Sequence, residues 1–298
     1  MKRRRHPDWL KVSIPGGDTY ASLKKRLRKA KLHTICEEAK CPNIAECFRR
    51  GTATFLILGD TCTRNCRYCH VSYGAPNQIN YKEPMEIAES VRELGLRYVV
   101  ITSVTRDDLF DGGADQFHQT INVIKEKNPH CHVEVLIPDF KGNIDALSHV
   151  LSAKPAVLNH NTEVVKQLFP LLRPDGNYSQ SLHLLSQSKK QDSTIPTKSG
   201  FMIGLGETMP QIITLLDDLN DADVDFLTIG QYLQPSSSHA SVKKYYTPFE
   251  FGQLKDIAKE KGFSEVESGP LVRSSYHAEK QFNNHKKSFK REIHSGVL

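Results

Sequence analysis

The sequence lacks any long apolar run. Its longest, Thr54-Phe55-Leu56-Ile57-Leu58 and Tyr98-Val99-Val100-Ile101, have the length of strands, far short of the ~18–20 apolar residues that a membrane-spanning helix needs. No membrane role is expected. A secretory h-region is also missing, because the basic start continues straight into Pro7, Asp8 and Trp9. The cysteine total is odd, at seven. With no signal segment and ample core material, that argues against a disulfide scaffold and for a reducing, cytoplasmic setting. The 13 histidines show no H-E-x-x-H or other ligand spacing, so the zinc-hydrolase pattern is excluded. There is no internal repeat, and Ser236-Ser237-Ser238 is no more than a loop marker.

What is present makes a sizeable core. The chain has 298 residues, 38% of them hydrophobic, which excludes global disorder. The net charge of +6 is unevenly spread. Residues 1–31 hold 11 Lys/Arg against 2 acids, residues 273–298 hold 6 against 2, and the 241 residues between carry −7. The basic ends read either as solvated tails or as a docking surface for an acidic partner. The acidic body, without interleaved basic and aromatic residues on any strand, argues against nucleic-acid binding.

A strand-helix alternation begins after residue 50. Strands are expected at Thr54–Leu58, Tyr98–Thr102, His132–Ile137, Ala156–Asn159, Thr197–Ile203 and Asp225–Gly230. Helices are expected at Glu83–Glu93, Ala114–Lys127, Asn143–Ala153, Val164–Phe169, Ser179–Gln187, Met209–Ala222 and Pro248–Lys261, with an earlier one from Tyr20 to about Ala30. Some six βα units imply a parallel sheet with crossover helices. Such a string closes into a barrel or lies open as a doubly wound sheet, and it is too short for the eight-unit barrel.

Six of the seven cysteines fall within 34 residues. Cys62, Cys66 and Cys69 form C-x3-C-x2-C just after the first strand, on the edge where parallel α/β folds place their chemistry. Three thiolates this close suit three irons of one cubane, leaving the fourth iron open. A structural zinc site would want a fourth Cys or His, and His70, adjacent to Cys69, is badly placed for that. Cys36, Cys41 and Cys47 form C-x4-C-x5-C, which is neither zinc-finger nor common ferredoxin spacing; a second metal or cluster site is the simplest reading. Cys131 stands alone and reads as a buried free thiol.

Other candidates keep two readings each. Gly204-x-Gly206-Glu207 is a nucleotide-binding turn lacking the full G-x-G-x-x-G, or a strand-to-helix turn that needs glycine. Asn159, Asn161 and Glu163 are hydrogen-bonding groups for a bound ligand, or the capped start of a helix. Arg173 is a substrate- or cluster-side cation, or a surface ion pair.

The segment Cys62-Thr63-Arg64-Asn65-Cys66-Arg67-Tyr68-Cys69 resembles the signature of the radical S-adenosylmethionine (SAM) superfamily. The resemblance implies a [4Fe-4S] cluster on Cys62, Cys66 and Cys69 that binds SAM at its open iron and cleaves it to methionine and a 5′-deoxyadenosyl radical. It implies that Tyr68 lies near the adenine, and that Gly204, Gly206, Glu207, Asn159, Asn161 and Glu163 lie near SAM.

With the second triad and its neighbours Glu37-Glu38-Ala39-Lys40 and Pro42-Asn43, the chain resembles the lipoyl synthase family. The likeness runs over nearly the whole length. It includes Pro7-Asp8-Trp9-Leu10-Lys11, Arg106-Asp107-Asp108, Asp111-Gly112-Gly113-Ala114, Leu158-Asn159-His160-Asn161, Met202–Thr208, Gly230–Pro235 and Gly269–Tyr276. It implies an auxiliary [4Fe-4S] cluster on Cys36, Cys41 and Cys47 that donates sulfur, with a serine oxygen, Ser275 or failing that Ser274, as fourth ligand. The implied reaction inserts two sulfur atoms, at C6 and then C8, into an octanoyl chain carried on a protein lysine. Implied partners are octanoylated carrier domains (2-oxoacid dehydrogenase E2 subunits or the glycine cleavage H protein), an electron donor such as flavodoxin or ferredoxin, and an iron-sulfur carrier that repairs the spent cluster. The expected fold is α/β: a partial (β/α)6 TIM-type barrel over residues 51–262, an N-terminal cluster-binding extension over 1–50, and a C-terminal segment over 263–298 that closes the barrel. Rival readings are an RNA methylthiotransferase, which also pairs two clusters, and a metal-stabilised nucleic-acid-binding module.

Overall fold

The computed structural model describes residues 7–11, 33–38, 41, 43–44, 46 and 54–295. The helix expected from Tyr20 to Ala30 lies outside them. One eight-stranded sheet organises the chain, in the order β1-β2-β5-β6-β7-β8-β9-β10. Its members are β1 (His33–Thr34), β2 (Thr54–Ile57), β5 (Tyr98–Ser103), β6 (His132–Leu136), β7 (Val157–Asn159), β8 (Thr197–Ile203), β9 (Phe226–Gln231) and β10 (Glu265–Gly269). The short pair β3 (Thr61–Cys62) and β4 (Ser72–Tyr73) stands apart. β1 is antiparallel to β2, and the other neighbours in the main sheet are parallel. Strands that pair in chain order, each joined to the next by a helix, wind in one direction.

Six helices make the crossovers: Glu83–Glu93, Ala114–Lys127, Ile144–Ser152, Tyr178–Gln191, Met209–Asp221 and Pro248–Glu260. Their starts are written in the local sequence. The Asn143 side chain accepts from the Ala146 N–H and Asn177 from Gln180. Thr247 and Glu250 form a reciprocal cap, and Pro248 needs no partner for a missing N–H. The strands between them are buried on both faces, as parallel strands under helices must be.

The sheet is curled. Tyr98 and Val100 of β5, Val157 of β7 and Phe226 of β9 meet in one apolar cluster. In a flat sheet β5 and β9 would lie about 19 Å apart, at ~4.8 Å per strand. Ala278 and Phe282, on the long C-terminal helix Ala278–Ser295, complete that cluster. Phe282 thus fills the barrel interior at the N-terminal ends of the strands, with its ring 4.7 Å from that of His132. Among the described residues no helix is long and apolar enough to cross a membrane.

The six expected units are present, and β10 adds a seventh parallel strand. Its segment, Glu265-Val266-Glu267-Ser268-Gly269, carries one apolar side chain in five, so it does not read as a buried strand. Its glutamates instead face the polar side of the C-terminal helix: Asn284 donates to Glu265, and Lys280 lies 3.8 Å from Glu267. The helix expected over Val164–Phe169 is instead a 3-10 turn, Lys166–Leu168, followed by the single turn Phe169–Leu172. Pro170 fits only the first turn of a helix, so it restarts the helix there.

Candidate functional site

The C-terminal ends of the strands open into a cavity of about 480 Å³. The chain reaches it from β2 through Leu58 and Gly59, at φ 68° and 92°, a left-handed turn that lifts the following loop over the sheet. Residues 63–71 then cross the cavity mouth between β3 and β4. Cys62, Cys66, Cys69 and Tyr68 all line the cavity.

This loop is anchored on several sides. Thr63 N–H donates to Thr105 O, and Arg67 N–H to Leu172 O. The Arg67 carbonyl accepts from Ala240 N–H, and the Cys69 carbonyl lies 2.8 Å from His239 Nε2. His70 Nδ1 sits 3.0 Å from the Glu38 carbonyl and its ring stacks on His239.

Among the described residues no three His, Cys, Asp or Glu side chains converge within reach of one metal ion. Burial pushes the Cys69 thiol up to about 12, and raises Cys66 as well. These two thiols are therefore protonated at neutral pH until a metal displaces the protons. None of the described cysteines forms a disulfide.

The opposite wall carries Asn161, Glu163, Arg173, Gly200, Thr228, Arg273 and Ser274. Arg173 donates to the Asn161 carbonyl at 3.1 Å. Asn161 donates to Glu163 Oε1 at 3.0 Å, while its own Oδ1 is buried without a partner. Glu163 holds a left-handed φ of 70°, a strain that persists where the surroundings impose it. Burial raises its carboxyl above the usual range. A Cβ on Gly200 would run into Thr228 Oγ1 and Asn161 Oδ1, so glycine is what lets these two side chains close over the strand.

The other candidates fall elsewhere. Asn159 donates to Glu134 Oε1 beneath the cavity, beside a buried Lys198–Glu134 ion pair. Gly204, Gly206 and Glu207 do not line the cavity. The Glu207 carboxylate accepts from Gly204 N–H at 2.6 Å and Leu205 N–H at 2.9 Å, and Gly204 and Gly206 have φ 105° and 116°. This is the strand-to-helix turn, with glutamate and glycines spent on the backbone. Ser275 lies outside the cavity wall that Ser274 joins.

Cys47 and the side chain of Cys36 lie outside the described residues. Cys41 is half-buried, its thiol raised by burial and opposed by the Asn43 N–H and the Arg273 charge. Its turn rests on the C-terminal segment: Asn43 Nδ2 donates to Leu271 O at 2.6 Å, and Tyr276 O–H to Glu46 at 3.2 Å.

Sequence reasoning named Arg64, Asp107 and His160 only inside motifs, without a role, and missed Asp139. Arg64 had a signal, a charged residue between cysteines of one motif. Asp139, from the loop after β6, had none.

A model of the radical SAM superfamily matches residues 56–219, and a model of the N-terminal domain of lipoyl synthase matches residues 1–41. The lipoyl synthase of Halalkalibacterium halodurans is 54% identical over 280 residues, covering 94% of this chain and 92% of that protein. That of Staphylococcus epidermidis is 50% identical over 289 residues, covering 97% and 95%. The chain belongs to the lipoyl synthase family. The fold is shared more widely. Methylornithine synthase superposes with a TM-score of 0.55 at 14% identity, covering 83% of this chain and 81% of that one. HydG, a maturase of the [FeFe]-hydrogenase, does so with 0.56 at 13%, covering 88% and 77%. Membership of the lipoyl synthase family displaces both rival readings, the RNA methylthiotransferase and the nucleic-acid module.

Proposed function

We propose that this chain is a lipoyl synthase, inserting sulfur at C6 and C8 of a protein-bound octanoyl-lysine. One observation carries the reading: a single cavity joins the Cys62/Cys66/Cys69 loop to the Arg273-Ser274 segment, against which the Cys41 turn rests. The residues fit two clusters and SAM. Cys62, Cys66 and Cys69 would hold the first cluster, and Cys36, Cys41, Cys47 and Ser275 the second. Ser275 is chosen on the family likeness, with Ser274, which lines the cavity, as the fallback. The first cluster with SAM supplies a carbon radical able to take unactivated hydrogens, and the second supplies sulfur.

The chain's own residues bind, orient and exclude water. SAM brings an α-carboxylate and an α-ammonium. Arg173 and Arg273 offer charge to the first, and Glu163 with the open Asn161 Oδ1 offers acceptors to the second. The Tyr68 ring, which lines the cavity, suits a flat base. The C6 and C8 hydrogens of an acyl chain are beyond the reach of any base of ordinary pKa, so a radical must take them, and Leu136, Ile137, Met202 and Val272 of the cavity lining offer the acyl chain apolar surface. Partners follow from this reading: an octanoylated carrier domain, an electron donor such as flavodoxin or ferredoxin, and an iron-sulfur carrier.

The test is mass spectrometry of an octanoylated carrier after anaerobic incubation with SAM and a reductant. A mass gain of two sulfurs is expected. Replacing Cys36, Cys41 and Cys47 with Ala should leave SAM cleavage and abolish the gain; lipoyl product from that variant refutes the donor role. Ser275→Ala should behave alike. Ser275→Cys, which exchanges a hard oxygen ligand for a thiolate better suited to iron, should slow sulfur release while keeping the iron content.

A further inference from the structure

Arg64 lies between two cysteines of the loop, and its side chain is 3% exposed. It is held on both sides. Nε and Nη2 grip Asp107 at 2.7 and 2.9 Å, and Nη1 and Nη2 grip Asp139 at 2.8 and 2.7 Å. Asp107 follows β5 and Asp139 follows β6, so one guanidinium ties the loop to two strand ends. Thr63 seconds it, accepting from Asp107 N–H through its hydroxyl at 3.0 Å. The rest of the loop is held by backbone bonds, by His239 and by the contact of His70 with the Glu38 carbonyl, without an ion pair among the described residues.

This clamp fixes more than a side chain. The Arg64 backbone N–H points at Cys62 Sγ, at 3.4 Å. Hydrogen bonds to sulfur and nearby charge are two of the levers that set an iron-sulfur reduction potential. An N–H stabilises the extra negative charge of the reduced state, and does so only while it stays aimed at the sulfur.

We propose that Arg64 is a positioning residue that raises the reduction potential of the centre held by Cys62, Cys66 and Cys69, by locking its own N–H against Cys62 between Asp107 and Asp139. This rests on those cysteines holding an iron-sulfur cluster. Planar fork geometry is essential to it. Lysine keeps the charge but has no fork, and cannot grip two carboxylates in pairs.

The test is an EPR-monitored redox titration of the reconstituted full-length chain, wild type against Arg64→Gln and Arg64→Lys, with iron counted in each. The signal that responds to added SAM belongs to the three-thiolate centre. Iron content in the wild type checks the underlying reading separately. Both variants should keep wild-type iron and shift to lower potential, with the reduced-to-oxidised ratio at a fixed potential falling roughly three- to fivefold, the worth of one ordinary hydrogen bond. Unchanged potential in Arg64→Gln overturns the proposal. A wild-type potential in Arg64→Lys shows that charge alone suffices, and also overturns it. Where Arg64→Gln fails to fold, Arg64→Lys decides. Loss of this centre from both variants makes the clamp a matter of assembly, and overturns the proposal as well.

Discussion

Asn43 donates from Nδ2 to the carbonyl of Leu271 at 2.6 Å, across 228 residues of chain. The bond latches the turn that follows Cys41 to the segment that carries Ser274 and Ser275. Asn43 is buried, so its loss leaves a carbonyl short of its donor. Asn43→Ala should weaken the latch by about 1 kcal/mol. Product should fall about fivefold, while SAM cleavage, which belongs to the other cysteine loop, stays within about twofold. Quantifying 5′-deoxyadenosine and lipoyl product in one reaction checks the split; equal losses refute it.

Glu207 gives the opposite contrast. Its carboxylate is occupied by the Gly204 and Leu205 N–H groups and is absent from the cavity wall. Glu207→Ala should leave two buried donors unpaired and cost about 1–3 kcal/mol of stability. SAM affinity should stay within about twofold of wild type. Denaturation and equilibrium SAM binding on the same samples test this, and a large loss of affinity in a protein of unchanged stability counts against it.

What the sequence revealed depended on how local each signal was. The cysteine triad, with its strand before and loop after, is a local pattern, and the structure brings all three sulfurs to one cavity. The apolar strands were visible because parallel strands are buried on both faces. β10 was hidden because its inward face meets helix polar groups rather than core. Glu207 kept two readings because a ligand-binding carboxylate and a turn-capping carboxylate look the same next to two glycines. Asp139 is a single aspartate in a loop; only the fold brings it to Arg64, 75 residues away.

Acid should unsettle this fold through His160. Its imidazole is buried between the Ile137 carbonyl and the Ser181 hydroxyl, 2.9 Å from each. Burial, seconded by the Arg173 charge, holds its pKa down to about 4. An unfolded histidine titrates near 6.5. Between those values the unfolded chain binds the extra proton, so stability falls as pH drops from about 6.5 toward 4. The stability lost between pH 7 and pH 5 is about 2 kcal/mol from this residue alone. Urea denaturation at the two values should show it, and His160→Gln should flatten the difference. Asp139 acts later. Burial raises its carboxyl, but the Arg64 hydrogen bonds outweigh that and hold it at about 2, so its contribution is lost only as pH falls below about 4. A His160→Gln variant with an unchanged slope refutes the assignment.

A carrier is expected to dock away from the basic C-terminal end. Phe282 anchors the last helix among Tyr98, Val100, Val157 and Phe226, at the strand ends opposite the cavity. Lys286 lies over the Phe282 ring, 5.2 Å from its centre, and Lys287 is exposed beside it. On the proposed function a carrier-borne chain enters from the other edge, where the cysteine loop lies. Charge reversal by Lys286→Glu with Lys287→Glu should therefore leave carrier turnover, and its dependence on salt, within about twofold of wild type, since screened charges beyond a Debye length of ~8–10 Å act weakly. Phe282→Ala should instead cost about 3–5 kcal/mol of stability, as a large ring leaves a cavity in the barrel floor. Carrier turnover across a salt series, beside thermal unfolding of both variants, separates the two effects. A strong loss of turnover on charge reversal, with stability intact, moves the docking site to this end of the barrel.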